Sequence, residues 1–130
     1  MNTKKTIGLV AHDACKNRIV EWSAAHKTLL AKHNLVATGT TGTTIREATG
    51  LDIKCLKSGP LGGDAQLGAL IAEGKLDILI FFIDGMSAMP HDVDVKALTR
   101  LATLYDVVFA CNQATADCVI ESSLMNGPKP

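Results

Sequence analysis

The stretch that decides the fold of this chain is Lys57-Ser58-Gly59-Pro60-Leu61-Gly62-Gly63-Asp64. Residues 51–56 before it alternate apolar and polar side chains, as a strand does. After it, Leu67, Leu70 and Ile71 fall on one face of a helix. The stretch, called the glycine turn below (residues 57–64), is therefore predicted to join a strand to a helix.

The glycine turn is suited to binding an anion. Its three glycines and its proline let the backbone turn sharply and approach a ligand closely, and free N–H groups at the start of the helix favour a negative charge. Asp64 stands where the helix is predicted to begin, and two interpretations of it stay open. It is an N-cap that accepts a hydrogen bond from the first turn, or it is a general base beside a bound phosphate ester. Both can hold at once.

Length and charge limit the protein classes to consider. The chain has 130 residues, of which 47% are hydrophobic, so we expect one domain over residues 1–130 with a sizeable core. Thirteen Lys and Arg side chains balance thirteen Asp and Glu side chains, and no run of like charges occurs. We therefore expect neither a nucleic acid nor a membrane as partner. Any anion must be bound by a local site.

The cysteines and the apolar segments indicate a cytoplasmic protein. Four cysteines form no C-x-x-C pair, and we expect reduced and mostly buried thiols. They are Cys15, Cys55, Cys111 and Cys118. The first apolar run ends at His12-Asp13, and the longest later run, residues 78–83, is far short of a membrane span.

Apolar periodicity predicts alternating strands and helices along the whole chain. The predicted strands are residues 6–11, 34–38, 53–56, 76–83 and 107–111. The predicted helices are residues 13–32, 41–49, 64–74, about 95–105 and 114–122. This alternation predicts an α/β fold, a three-layer α/β/α sandwich with a five-stranded parallel sheet.

In such sheets ligands bind beyond the carboxyl ends of the strands, so the polar residues that follow each strand are the candidates for a site. They are His12-Asp13, Thr38-Gly39-Thr40-Thr41, Ser58-Gly59, Asp84 and Asn112. The loop with His91, Asp92 and Asp94 follows the fourth strand and is expected to reach the same edge.

A second anion-binding element is predicted in the threonine loop (residues 37–44), Ala37-Thr38-Gly39-Thr40-Thr41-Gly42-Thr43-Thr44. Hydroxyls and free N–H groups at a helix start can hold phosphate oxygens. The glycine spacing fits neither a P-loop nor a dinucleotide fingerprint. The alternative is an ordinary capped loop. Two interpretations of Lys16 stay open. If a phosphate binds at the threonine loop, Lys16 supplies a counter-charge to it; without a phosphate nearby, Lys16 is an ordinary solvated lysine.

The histidines divide into two groups. His12 and His91 lie at the ligand edge and suit polarising a substrate oxygen. They could also ligate a metal with Asp13, Asp84 or Asp94, but no fixed spacing of the H-E-x-x-H kind supports this, and no metal site is predicted. Asp94 and Asp92 can instead charge the first turn of their helix. His26 and His33 are predicted to be structural or exposed.

Taken together, five segments resemble the methylglyoxal synthase family. They are Leu9-Val10-Ala11-His12-Asp13, Lys16, Ala37-Thr38-Gly39-Thr40-Thr41-Gly42 of the threonine loop, Ser58-Gly59-Pro60-Leu61-Gly62-Gly63-Asp64 of the glycine turn, and Pro90-His91-Asp92-x-Asp94-Val95-Lys96-Ala97-Leu98. The likeness runs from about Ile7 to Asp117, in order and without evident gaps. Asp84 is followed by Gly85, where the family often has proline, which is expected to loosen the loop carrying His91. The chain also ends before the extra C-terminal segment of many members.

The resemblance implies elimination of phosphate from dihydroxyacetone phosphate to give methylglyoxal, without metal or organic cofactor. It implies that Asp64 is the catalytic base, that His12 and His91 contact the substrate oxygens, and that Asp13 and Asp94 are supporting acids. It also implies a phosphate-binding set, namely Lys16, Thr38, Gly39, Thr40, Thr41, Ser58 and Gly59. A homohexamer inhibited by inorganic phosphate is implied as well.

Two other functions stay open. The same fold, as the resemblance implies, also serves as a non-catalytic regulatory module that binds a phosphate-bearing metabolite. A sensor needs the phosphate site but no base, so Asp64, His91 and Asp94 argue against it. Another sugar-phosphate lyase or isomerase is the weaker alternative.

Overall fold

Five parallel strands form the central sheet of the protein. The computed structural model describes residues 4–86, 92–122 and 125, with residues 60 and 92–94 described by their backbone alone. The strands are β1 (Thr6–Ala11), β2 (Asn34–Thr38), β3 (Ile53–Leu56), β4 (Ile78–Phe82) and β5 (Val108–Ala110). The helices are α1 (Lys16–Ala25), α2 (Lys27–Leu30), α3 (Gly39–Thr49), α4 (Gly63–Ala72), α5 (Asp92–Leu104) and α6 (Gln113–Ile120). Two short 3₁₀ turns occupy Asp13–Cys15 and Gly59–Leu61.

The strand order is β3-β2-β1-β4-β5, and every pairing is parallel. Leu9 of β1 is opposite Ala37 of β2 on one side and Ile80 of β4 on the other. Because all five strands run in one direction, the residues that follow them gather at one edge of the sheet. The predicted α/β sandwich is confirmed.

Helices cover both faces of the sheet, which explains why β4 is buried at every position. Ile78, Ile80 and Phe82 of β4 point to one face, where they pack with side chains of α1, α2, α3 and α6. Leu79 and Phe81 point to the other face and pack with side chains of α4 and α5. Burying each such side chain contributes roughly 1.5–3 kcal/mol, so an uninterrupted apolar strand is stable only between two layers of helices.

The first predicted helix, residues 13–32, is instead divided into three pieces. It begins with the 3₁₀ turn, and Asp13 lies inside that turn rather than capping it, since His12 holds the preceding position. The helix breaks again at His26, whose φ of −111° and ψ of 22° leave the helical region. At this break the His26 ring lies 4.9 Å from the Trp22 ring, and its Nε2 lies 3.6 Å from Asp117 Oδ1. His26 therefore contributes to the joint between α1 and α6, a structural role.

The expectation of mostly buried cysteines is wrong. Of the four free thiols only Cys15 is buried, while Cys55, Cys111 and Cys118 are exposed. Cys55 lies on β3, an outer strand of the sheet, Cys111 follows β5, and Cys118 lies on α6, so none is enclosed between two layers. Burial raises the pKa of the Cys15 thiol, which keeps it protonated. Within the described part of the chain, no helix has the length and apolar character needed to cross a membrane.

Candidate active site

A cavity of about 420 Å³ lies at the carboxyl edge of the sheet, beyond β1, β2, β3 and β4. It is lined by residues at the ends of β1, β2 and β4, by residues of the loops and helix starts that follow the strands, and by Val95 in the first turn of α5. Ten of the predicted site residues line it: His12, Asp13, Lys16, Thr38, Gly39, Thr40, Thr41, Ser58, Gly59 and Asp64. His91 lies outside the described residues. Asp94 belongs to the first turn of α5, beside Val95, and its side chain is not described.

The threonine loop enters the cavity as the start of a helix. α3 begins at Gly39, two residues before the predicted start, so Thr40 and Thr41 lie in its first turn. Backbone N–H groups in a first turn have no acceptor within the helix, which makes them available to an anion. Thr41 is only 2% exposed and lines the cavity. The threonine loop thus contributes both hydroxyl-bearing side chains and the N–H groups of a helix start to the lining of the cavity.

The threonine loop and the glycine turn touch each other at Gly39. Its φ of +51° favours glycine, and a Cβ built there would lie 3.0 Å from both Cα and Cβ of Ser58. The N–H of Gly39 also donates to the carbonyl oxygen of Lys57 at 3.2 Å. The two predicted phosphate-binding segments therefore form one surface, called the cradle below (Thr38–Thr41 and Ser58-Gly59).

Lys16 supplies the positive charge of the cradle. Its Nζ donates to Thr40 Oγ1 at 2.8 Å and pairs with Asp13 Oδ1 at 3.0 Å. The Lys16 side chain is 35% exposed, whereas the Asp13 side chain is 96% exposed. The carboxylate of Asp13 therefore orients the ammonium group from the solvent side, and Thr40 fixes it at the helix start.

His12 is held as a hydrogen-bond donor. Its Nδ1 accepts the backbone N–H of Asp84 at 2.9 Å, so this nitrogen carries no proton and the ring proton of the neutral form resides on Nε2. Nε2 is buried and makes no hydrogen bond with any of the described residues. Its ring meets Phe81 edge to face at a centroid distance of 5.1 Å. A neutral imidazole with a free buried N–H can stabilise an oxygen that becomes negative.

Asp64 is not the cap of its helix, so the N-cap interpretation is wrong. Gly62, with a φ of +113°, occupies the N-cap position of α4, and Asp64 lies in the first turn. Position 63 of the glycine turn also requires glycine, because a Cβ on Gly63 would lie 2.0 Å from the carbonyl oxygen of Lys57. The carboxylate of Asp64 reaches back over Gly59: a Cβ built there would lie 3.2 Å from Oδ2 and 3.3 Å from Oδ1. The acid is thereby placed against the cradle.

The described residues contain no group of three or more His, Cys, Asp or Glu side chains arranged to hold a metal ion.

His33 does not line the cavity and is buried near the start of β2, where its Nδ1 accepts the N–H of Lys5 at 3.0 Å. It is structural, as predicted.

Two contributions to the site were not predicted. The first is the backbone N–H of Asp84, which orients His12 from 72 residues away; the sequence pattern placed Asp84 at the right edge but gave no partner for it. The second is Gln66, whose Oε1 accepts the backbone N–H of Lys57 at 2.8 Å. Nothing in the spacing distinguishes Gln66 from any exposed glutamine on a helix.

Fold and cavity together define an α/β protein with a parallel sheet and a cavity at its carboxyl edge. The family model described as the MGS-like domain matches residues 18–111, and the chain belongs to this family. It is 54% identical over 124 residues to the methylglyoxal synthase of Yersinia enterocolitica, covering 95% of this chain and 82% of that protein. It is 53% identical over 126 residues to the methylglyoxal synthase of Photorhabdus laumondii, covering 97% and 83%.

A solved structure gives the same result. The crystal structure of methylglyoxal synthase from Elizabethkingia anophelis NUHP1 superposes with a TM-score of 0.90 at 51% identity, over 96% of this chain and 82% of that one.

Proposed function

We propose that this protein is an enzyme that converts dihydroxyacetone phosphate to methylglyoxal and inorganic phosphate. Its relatives carry the name of that activity. One observation carries the proposal furthest: Asp64 and His12, whose Nε2 is buried without a hydrogen bond to the described residues, line the same cavity as the cradle. A base, an oxygen-stabilising donor and a phosphate site are the groups that this elimination requires.

The reaction begins with removal of a proton. Asp64 takes the proton from the hydroxyl-bearing carbon of the substrate, and the electron pair moves to the carbonyl oxygen to give an enediolate. The Nε2–H of His12 stabilises that oxygen. His91 is proposed to contact a substrate oxygen in the same way, and Asp13 and Asp94 to be supporting acids, Asp13 through its pair with Lys16.

The second step breaks the bond to phosphate. The hydroxyl proton on the deprotonated carbon moves to the enediolate oxygen, and the oxygen left behind becomes the aldehyde carbonyl. The double bond shifts toward the carbon that bears the phosphate, the bridging C–O bond breaks, and phosphate leaves with that bond's electrons. The remaining enol takes up a proton on its terminal carbon and becomes methylglyoxal. Lys16, Thr38, Gly39, Thr40, Thr41, Ser58 and Gly59 are proposed to hold the phosphate group throughout.

The geometry of the bridging C–O bond decides the product. If that bond stands across the plane of the enediolate, its electrons overlap with the π system and phosphate is expelled. If it lies in the plane, the carbon that carried the carbonyl is reprotonated instead, and glyceraldehyde 3-phosphate results. The cradle is formed by two loops in contact, which suits holding one angle.

The enzyme uses no cofactor and no metal, is inhibited by its product inorganic phosphate, and assembles as a homohexamer in the cytoplasm. The hexamer rests on the family resemblance alone. A mass measurement of the purified protein, such as light scattering after size exclusion, tests it, and a monomer would contradict it.

Product analysis tests the activity itself. The purified protein is treated with chelator, supplied with dihydroxyacetone phosphate, and assayed for both methylglyoxal and free phosphate. Formation of both in equal amounts is the expected result. Binding of substrate without release of either product would favour a regulatory module, and activity that disappears with chelator would indicate a metal.

A further inference from the structure

The backbone of Lys57 is a junction between three parts of the active site. Its carbonyl oxygen accepts the N–H of Gly39 from the threonine loop at 3.2 Å. The same oxygen faces α4 so closely that a Cβ on Gly63 would lie 2.0 Å from it. Its N–H donates to Gln66 Oε1 at 2.8 Å. One peptide segment thus contacts both halves of the cradle and the helix that carries Asp64.

Gln66 is the side chain that ties this junction to the helix. It lies on α4 two residues after Asp64, and Lys57 lies directly before Ser58. The donor is a backbone N–H, so the accepting atom of Gln66 must be its oxygen, which fixes the orientation of the amide. Besides this bond, the N–H of Gly63 donates to Ser58 O at 2.8 Å. The side chain of Gln66 therefore adds a second hydrogen bond between α4, the helix that carries Asp64, and the segment Lys57-Ser58 that leads into the cradle.

We infer that Gln66 is a positioning residue that sets where Asp64 stands relative to the bound phosphate. This inference rests on the proposed function. Asp64 and Gln66 belong to one rigid helix, and Ser58-Gly59 hold the phosphate, so the Gln66–Lys57 bond limits how far base and phosphate can shift against each other. That relation determines whether the C–O bond stays across the enediolate plane. Gln66 itself touches no reacting atom.

The test replaces the acceptor while keeping the length of the side chain. In Gln66→Met the N–H of Lys57 loses its partner, and a misplacement on the order of 1 Å can cost about 100-fold in rate. We expect kcat to fall about 10-fold or more, while inhibition by inorganic phosphate stays within about threefold of the parent. We also expect a measurable share of turnovers to end in glyceraldehyde 3-phosphate.

Two further variants separate positioning from folding. Gln66→Glu keeps an oxygen that accepts from Lys57, so its kcat and product ratio should stay near those of the parent, although its charge raises the KM for an anionic substrate. Gln113→Met makes the same substitution in the first turn of α6, where the exposed glutamine side chain makes no hydrogen bond with the described residues. It should leave kcat, product ratio and melting temperature unchanged.

These measurements distinguish a failure of the positioning role of Gln66 from a failure of the proposed enzymatic function. A parent protein that forms no methylglyoxal refutes the proposed function. With an active parent, the inference is overturned if Gln66→Met keeps its kcat and product ratio, or if Gln66→Glu loses as much kcat as Gln66→Met. It is also overturned if Gln66→Met loses kcat and melting temperature together at an unchanged product ratio, because that pattern means a structural role.

Discussion

At the scale of single residues, Asp64 is placed by its neighbours in the glycine turn. Gly62 caps the helix, so replacing the carboxylate by its amide leaves the cap in place. Asp64→Asn cannot accept the proton, and we expect turnover to fall about 10²–10⁴-fold with an unchanged melting temperature and nearly unchanged phosphate inhibition. Turnover, exchange of the carbon-bound proton with deuterated water, and melting temperature should be measured on the same variant. Turnover near the parent rate would transfer the role of base to Asp94 or Asp13.

His12 gives a second prediction at this scale. His12→Phe keeps an aromatic ring against Phe81 but removes the buried Nε2–H of a residue that lines the cavity. Loss of one such donor typically costs about 10²–10³-fold in kcat, and we expect a loss of this size. Inhibition by inorganic phosphate, which needs the cradle and not the imidazole, should persist. If phosphate inhibition disappears and kcat stays, His12 belongs to the phosphate site.

The sequence located the residues of the cavity better than it described their bonds. The rule that ligands bind beyond the carboxyl ends of parallel strands brought His12, the threonine loop and Ser58 to one edge. The proton position on His12 was out of reach, because it depends on a backbone N–H at Asp84. The N-cap interpretation of Asp64 relied on aspartate being a common cap; the cap position of α4 is instead held by Gly62, whose positive φ favours glycine.

At the scale of elements, the cradle consists of the first turn of α3 together with the glycine turn. Thr41→Ala and Lys16→Ala each remove a contact proposed for the phosphate group, and hydrogen bonds to charged groups contribute about 1.5–3 kcal/mol. Affinity for substrate and for inorganic phosphate should fall together, by about tenfold or more. Inhibition constants for phosphate measure this directly. Lys54→Ala, an exposed lysine on β3 away from the cavity, is the matched control; an equal loss there would mean a general charge effect.

The type of every predicted element was right, whereas several boundaries were not. Strands with side chains buried on both faces gave uninterrupted apolar runs, and these are unambiguous. Helix starts were harder, because α3 begins at a glycine with positive φ, a residue that the pattern assigned to the loop. The break at His26 had no signal, because the group it approaches comes from a distant part of the chain. Trp22, whose ring contacts His26, donates its Nε1–H to Asp117 Oδ1 across a separation of 95 residues.

At the scale of the whole molecule, His33 makes the stability depend on pH. Burial lowers the pKa of His33 below its ordinary value of 6.5, and nearby Lys5, Lys32 and Lys4 act in the same direction, while the interaction of the imidazole with the backbone carbonyl of Met125 opposes them. As pH falls below 6.5, the unfolded chain binds a proton at this site before the folded protein does, so folding is destabilised. Above that pH the site has no effect. We therefore expect the melting temperature to drop between about pH 7.5 and pH 5.5.

His33→Asn isolates that contribution. The amide oxygen of asparagine can accept the N–H of Lys5 in place of Nδ1, and asparagine does not titrate. Whatever the absolute melting temperature of the variant, its change between the two pH values should be smaller than that of the parent. An equal change in both proteins would assign the pH dependence to other groups.

The strand order has a consequence for how the protein is made. β2 and β3 follow β1 in the chain and pair in sequence on one side of it, but the other side of β1 waits for β4. At ribosomal speeds of about 5–20 residues per second, this apolar edge is open for several seconds during synthesis. Such an edge pairs readily with other chains. A chain ending at residue 76 should therefore aggregate after dilution from denaturant; a soluble monomeric fragment would show that the nascent half-sheet protects itself.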